Sequence, residues 1–298
     1  MHEIKSFSVI GGDLRHAHLA NLLYRDGYKV YAVGFDKEVQ LEEGIIKIGS
    51  ASAAVKQSDA VVLPLPTTID GNTVNAPFGK SPIPFSEIIG SIKPHQPVLG
   101  GRISGAVRAL TEANDIRIVD YLEREELAVL NAIPTAEGAV EIAMQELPIT
   151  LHDSKCLVLG YGRVGKVLSK YLKALEAHVT VSARKCADLA WVATDGLTAV
   201  HIDDLAGVVG ECDVIFNTIP AMVLDAELLS KIKSDCLLVD LASKPGGVDF
   251  KTAGHLGIKT IWALSLPGKV APITAGAIIK QTIINILTEE ASEWERSE

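Results

Sequence analysis

Positive charge is in short supply in this chain: 28 Lys and Arg face 37 Asp and Glu, a formal net charge of −9. That balance argues against a surface built to neutralise the phosphates of nucleic acid or of a membrane, so any basic site must be local. Aromatic residues are scarce too, at 5%. Ala, Val, Ile, Leu and Gly dominate instead, which suits buried parallel strands covered by helices. Cysteine is limited to Cys156, Cys186, Cys212 and Cys236, widely spaced and with no CxxC pair. Three of them lie at or beside expected strands, so buried, reduced thiols are the reading, and with them a reducing cytoplasm. The eight His show neither HExxH nor another ligand spacing, so no metal site is read. No uncharged apolar run approaches bilayer length, and MHEIKSFSVIGG lacks the order of a signal peptide.

What is present is a globular composition, 48% hydrophobic and 22% charged, over 298 residues. That length predicts about two domains, each able to bury its own core. Short β-branched runs alternate with helical patterns, as βαβ units do. Strands are expected at 7–10, 29–33, 60–63, 97–100 and 117–119, and again at 156–159, 178–181, 214–217, 237–241 and 260–263. The fold class predicted is α/β: two doubly wound, parallel-sheet, Rossmann-like lobes with a ligand cleft between them. The N-terminal lobe, 1–130, would bind substrate and be joined by a C-terminal helix within 274–298. Residues 131–273 would form the dinucleotide domain. NAIPTAEGAVEIAMQELP, 131–148, reads as a connecting helix with Thr135 as N-cap. LPGKVAPITAG, 266–276, reads as a turn-rich hinge.

The strongest motif is GYGRVG, 160–165. It follows a strand, opens a helix, and a second strand follows at the right distance, which is the full context the dinucleotide fingerprint requires. Gly160 permits the tight turn, Gly162 lets the backbone reach the pyrophosphate, and Gly165 lets helix and strand pack closely. Arg163 and Val164 sit at the helix start, whose free N–H groups favour phosphate. The second strand ends Ser182-Ala183-Arg184-Lys185, where an NAD enzyme usually has Asp or Glu for the ribose 2′-OH. Two cations and a hydroxyl there favour a 2′-phosphate, hence NADP. Thr218-Ile219-Pro220 and Leu241-Ala242-Ser243 follow later strands, on the side where open parallel sheets bind ligands. Pro267 and Gly268 lie in the 266–276 stretch leading to the last helix.

VIGGDLRHAHLANLL in the first half faintly echoes VLGYGRVGKVLSKYL in the second. Asp13 and His16 stand where Gly162 and Gly165 would be, so the first half is expected to keep the fold without the dinucleotide site. GGRISG, 100–105, offers Arg102 and Ser104 as a carboxylate cradle, with Arg15 in reserve. Glu123 to Glu126 read as a solvated helix start.

These residues resemble a known family, the dipicolinate synthase A subunits of spore-forming bacteria. The likeness spans nearly the whole chain and rests on VIGGDLR, VGFD, the Glu123-Arg124 pair, NAIPTAEG, LGYGRVG, SAR, NTIP, LVDLASKPGGVDF and LPGKVAPITAG. Lys244 stands where the family is associated with Arg. The resemblance implies oxidation of a dihydrodipicolinate-type, lysine-pathway cyclic dicarboxylate to pyridine-2,6-dicarboxylate during sporulation, with NADP taking the hydride. It also implies a partner, the flavoprotein-like B subunit, in a mother-cell cytoplasmic setting. Arg102, Ser104, Glu123 and Lys244 become the candidate catalytic set, and a homo-oligomer is expected. Two rival dehydrogenases share features. A 2-hydroxyacid dehydrogenase would place an acid-base His after the last strand, but ALSLPGKVAPITAG has none. A shikimate-type enzyme would need a Lys–Asp pair in the first lobe that is not seen. A non-catalytic NADP-binding subunit stays open as the third alternative.

Overall fold

Five consecutive buried residues, Ser6–Ile10, form the first strand, β1, and a strand sealed on both faces is what a parallel sheet covered by helices requires. A computed structural model describes residues 4–37 and 39–295. They divide into two units. The first takes in the chain up to Leu130 and resumes at Ala271; the second is Asn131–Val270.

In the first unit β1 is followed by α1 (Leu14–Arg25), β2 (Lys29–Val33), β3 (Ile46–Lys47), α2 (Ala51–Gln57) and β4 (Ala60–Val62). Then come α3 (Phe85–Ile89), β5 (Val98–Gly100), α4 (Gly105–Glu112) and β6 (Ile118–Asp120). The strands pair in parallel in the order β3-β2-β1-β4-β5-β6. The last helix, α11 (Pro272–Glu295), completes this unit: Ile278, Ile279, Ile283 and Ile286 join the cluster formed by Phe7, Val9, Leu19 and Leu23. Each such side chain contributes about 1.5–3 kcal/mol when fully buried. Gly276 permits the approach, since a Cβ there would stand 2.5 Å from the Arg15 carbonyl oxygen.

The second unit runs α5 (Glu125–Glu146, which begins in the first unit), β7 (Lys155–Leu159), α6 (Arg163–Ala174), β8 (His178–Ala183), α7 (Cys186–Thr194) and β9 (Thr198–His201). It continues with β10 (Val214–Asn217), α8 (Ala226–Leu229), β11 (Leu237–Asp240), α9 (Phe250–His255), β12 (Thr260–Trp262) and α10 (Leu266–Val270). Its parallel order, β12-β11-β10-β7-β8-β9, repeats that of the first sheet. Two Rossmann-like sheets are therefore present, as the strand pattern predicts.

Local readings differ from the structure in three places. The edge strands β3 and β9 went unpredicted, because β3 has only two residues, both exposed, and β9 carries two exposed positions of four. Thr135 is not an N-cap. It lies inside α5, where its hydroxyl donates to the Asn131 carbonyl at 2.7 Å, and Pro134 is carried within the same helix. The small face of α5 explains this, because Ala132, Ala136, Ala139 and Ala143 are buried on continuous helical spacing. Third, 266–276 is no turn-rich hinge: Pro267 and Gly268 lie in α10, and Pro272 opens α11, where the missing N–H costs nothing. By length and composition alone α5 is apolar enough to span a bilayer, but Glu137 and Glu141 interrupt it, so no uncharged run of that length occurs. Cys156, Cys212 and Cys236 are buried and free, and burial pushes the Cys156 thiol up to about 11 and that of Cys212 up to about 12.

Candidate functional site

The β7–α6 turn has the geometry its glycines announce. Gly160 has φ +96, and a Cβ there would lie 2.5 Å from Thr218 Oγ1. A Cβ on Gly165 would stand 2.1 Å from the Gly160 carbonyl oxygen, so only glycine lets α6 start so close to β7. Gly162, the N-cap of α6, differs: a Cβ there would meet nothing within 4 Å. Open space thus faces the N-terminus of a twelve-residue helix whose cap uses no side chain. That is the setting a pyrophosphate needs.

Ordered neighbours surround the turn. Gly160 N–H donates to Ser182 O at 2.9 Å, tying it to the end of β8. Thr218 donates to the Leu159 carbonyl through both its N–H, at 2.9 Å, and its hydroxyl, at 2.8 Å. Tyr161 is buried, bonds Asp195 through its hydroxyl and has Lys166 over its ring. Burial, with the neighbouring Asp195 carboxylate, pushes the phenol up to about 12. Sequence reasoning assigned nothing to Tyr161 or Asp195, whose pairing spans 34 positions.

At the end of β8 Arg184 and Lys185 are exposed, and the Arg184 carbonyl lies 3.1 Å from His201 Nε2. The hydroxyl expected beside them is not available. Ser182 is fully buried and its Oγ has no hydrogen-bond partner. Strand alternation is the reason: Val181 and Ala183 share the face packed against α6 and α7, which turns Ser182 to the other. Ala183 is also buried, so neither side chain is open to a ligand.

The loops after β10 and β11 are built around two buried polar residues, Asn217 and Asp240. Asn217 Nδ2 donates to Asp240 Oδ1 at 2.8 Å and to the Ile219 carbonyl at 3.0 Å, and Ile219 N–H donates to Asn217 Oδ1. Ala242 N–H donates to Asp240 Oδ1 and Gly247 N–H to Oδ2. Pro220, Ser243 and Lys244 are exposed on this base, Thr218, Ile219 and Leu241 are half-buried, and Ala242 is buried. An Asp closing the apolar run of β11 was the available sign.

In the first unit the corresponding turn is shut. Gly12 N–H donates to the Asn75 carbonyl at 2.8 Å, and a Cβ on Gly11 would touch Val74 and Asn75. Residues 74–76 thus lie over the place a dinucleotide would take. Arg15 is not a reserve for substrate either: its guanidinium binds both Asp13 oxygens and the Leu65 carbonyl, and it is buried. Arg102 is exposed, with φ +53, and Asp120 accepts its N–H at 3.0 Å and that of Ile103 at 2.8 Å. Ser104 Oγ accepts from Val107 N–H and caps α4. Glu123 is exposed and lies 3.5 Å from Arg108. Among the described residues no group of three or more His, Cys, Asp or Glu is placed to hold a metal.

Known proteins match both parts of the chain. Residues 6–122 match the family of N-terminal domains of the dipicolinate synthase A subunit. Residues 134–245 match the NAD binding domain of D-isomer specific 2-hydroxyacid dehydrogenases, so the open glycine turn lies in a domain of nicotinamide-cofactor type. The chain is 36% identical to the dipicolinate synthase A subunit of Bacillus subtilis (strain 168), across 96% of this chain and 97% of that one. The crystal structure of the dipicolinate synthase A subunit from Bacillus halodurans superposes with a TM-score of 0.89 at 34% identity, covering 95% of this chain and 97% of that chain. The crystal structure of its Bacillus subtilis counterpart gives the same score and identity, covering 98% and 99%. The motifs, the doubled fold and these likenesses agree, and the chain belongs to the dipicolinate synthase A subunit family.

Proposed function

We propose that this chain is an NADP-dependent oxidoreductase subunit that forms dipicolinate from a dihydrodipicolinate-type cyclic dicarboxylate. The observation that carries the reading is the open N-terminus of α6 at Gly162, which follows β7, while the neighbouring strand β8 is followed by exposed Arg184 and Lys185 without an acid. The helix terminus takes the pyrophosphate, and the two cations take the ribose 2′-phosphate. Thr218, Ile219, Pro220, Leu241, Ala242 and Ser243 line the nicotinamide end. When bound, NADP supplies the acceptor for the hydride the ring gives up, and one proton leaves with it as the ring becomes aromatic.

The dicarboxylate is anionic, and Arg102 is the exposed cation offered to it, on a turn whose backbone N–H groups Asp120 holds. Ser104 keeps its oxygen on the helix cap, which leaves its role to the turn it shapes. Glu123 and Lys244 are the exposed groups proposed to move the proton, and aromatisation lowers the demand on them. By the family, a flavoprotein-like B subunit completes the enzyme in the mother-cell cytoplasm of a spore-former, and the present chain self-associates.

A 2-hydroxyacid dehydrogenase activity has less support. The matching domain stops at residue 245, and no His occurs in 263–276, where such an enzyme would carry its acid-base group. Calorimetric titration of the purified chain with NADP and NAD, followed by turnover with and without the B subunit, tests the proposal. NADP should bind more tightly than NAD, and dipicolinate should form fully only with both subunits. Failure to bind either nucleotide would overturn it.

A further inference from the structure

The loops after β10 and β11 are separate in sequence, yet one buried pair holds both. Asp240 is fully buried and accepts three hydrogen bonds: from Asn217 Nδ2 at 2.8 Å, Ala242 N–H at 3.0 Å and Gly247 N–H at 2.9 Å. Asn217, 1% exposed, closes a small ring with Ile219 through both ends of its amide. The two loops also interlock by backbone: Val223 and Leu224 N–H donate to the Gly247 carbonyl, and Leu241 N–H to that of Asn217. No slack is left at the crossing, since a Cβ on Gly247 would stand 2.3 Å from Asn217 Nδ2 and 2.7 Å from the Ile219 carbonyl oxygen. Trp262 closes the far side, with its indole N–H donating to the Ala242 carbonyl at 3.0 Å.

We infer that Asn217 and Asp240 are positioning residues that join 218–220 and 241–247 into one platform, so that a ligand held by the first loop also orders the second, with Lys244 at its tip. Shifting either loop orphans donors in the other, which is costly away from water. The inference rests on the proposed function for the identity of the ligand, but the coupling of the loops does not need it.

Two substitutions approach the pair from opposite sides. Asp240→Asn sets an amide nitrogen against Gly247 N–H or against the Asn217 amide. Asn217→Ser keeps a hydroxyl near Ile219 but cannot span to Asp240. Amide hydrogen exchange of the full-length chain is measured for both, without and with NADP. Exchange is expected to rise tenfold or more in both loops for each variant: Asn217→Ser speeds Ala242 to Gly247, and Asp240→Asn speeds Thr218 and Ile219. NADP should protect 242–247 in the wild type, and this protection should be largely lost in Asn217→Ser while calorimetric affinity changes less than about threefold, because the glycine turn and α6 are untouched. In turnover with the B subunit, kcat should fall with the KM for NADP nearly unchanged. If each substitution loosens only its own loop, the inference is overturned, and if one variant does not fold, the other gives the same reading. A wild type that fails to bind NADP sinks the proposed function instead, and the exchange without nucleotide then decides the coupling separately.

Discussion

His16 Nε2 and the hydroxyl of Tyr121 lie 3.0 Å apart in the buried centre of the first unit. The tyrosine hydroxyl also donates to the Leu63 carbonyl at 3.1 Å, and His16 Nδ1 faces Asp13 Oδ1 at 3.6 Å. His16 occupies the position in α1 that Gly165 occupies in α6. In the second unit that position brings helix and strand together. In the first, an aromatic ring fills it and the turn is covered by 74–76.

A pH dependence follows from this pair. Burial lowers the His16 pKa below its ordinary value of 6.5, although Asp13 partly opposes this. The native state then stays neutral where the unfolded chain takes up a proton, so stability is full above about pH 6.5 and declines as pH falls below it. Melting temperature from pH 7.5 to 5 should fall less for His16→Gln than for the wild type. Parallel curves would count against the assignment.

Gly162 and Gly165 separate a ligand role from a packing role. Gly165→Ala forces a Cβ against backbone and should cost about 1–3 kcal/mol or more of stability. Gly162→Ala meets open space, so its melting temperature should barely change while NADP affinity falls tenfold or more. Calorimetry and thermal melts on both variants check the pair. Unchanged affinity in Gly162→Ala would remove the pyrophosphate from this turn.

Arg184→Ala should weaken NADP binding by about 1.5–3 kcal/mol, the value of hydrogen bonds to a charged group, and leave NAD nearly unchanged. An equal loss for both nucleotides would take the 2′-phosphate away from Arg184.

Arg102 has φ +53, a conformation that costs a non-glycine residue about 1 kcal/mol. Arg102→Ala keeps that strain and Arg102→Gly relieves it, so the glycine variant should melt at the same temperature or higher than the alanine variant. Both should lose dicarboxylate affinity tenfold or more. Retained affinity in both would move the substrate carboxylates elsewhere.

The glycine turn between β7 and α6 was legible from sequence because its demands are local. Gly160 needs its dihedral, Gly165 needs its missing Cβ, and the flanking strands announce themselves by unbroken apolar runs. The doubled α/β plan was legible for the same reason. Tertiary structure alone decided that Thr135 lies within α5, because the alanine face buried along that helix outweighs the capping preference of one hydroxyl. It sealed Ser182 inside the sheet, since strand alternation and not residue type chooses a side chain's face. It paired Asn217 with Asp240 across 23 positions and laid residues 74–76 over the first glycine turn. Those outcomes depend on which distant groups share a space when the core closes, and no window of sequence contains both partners.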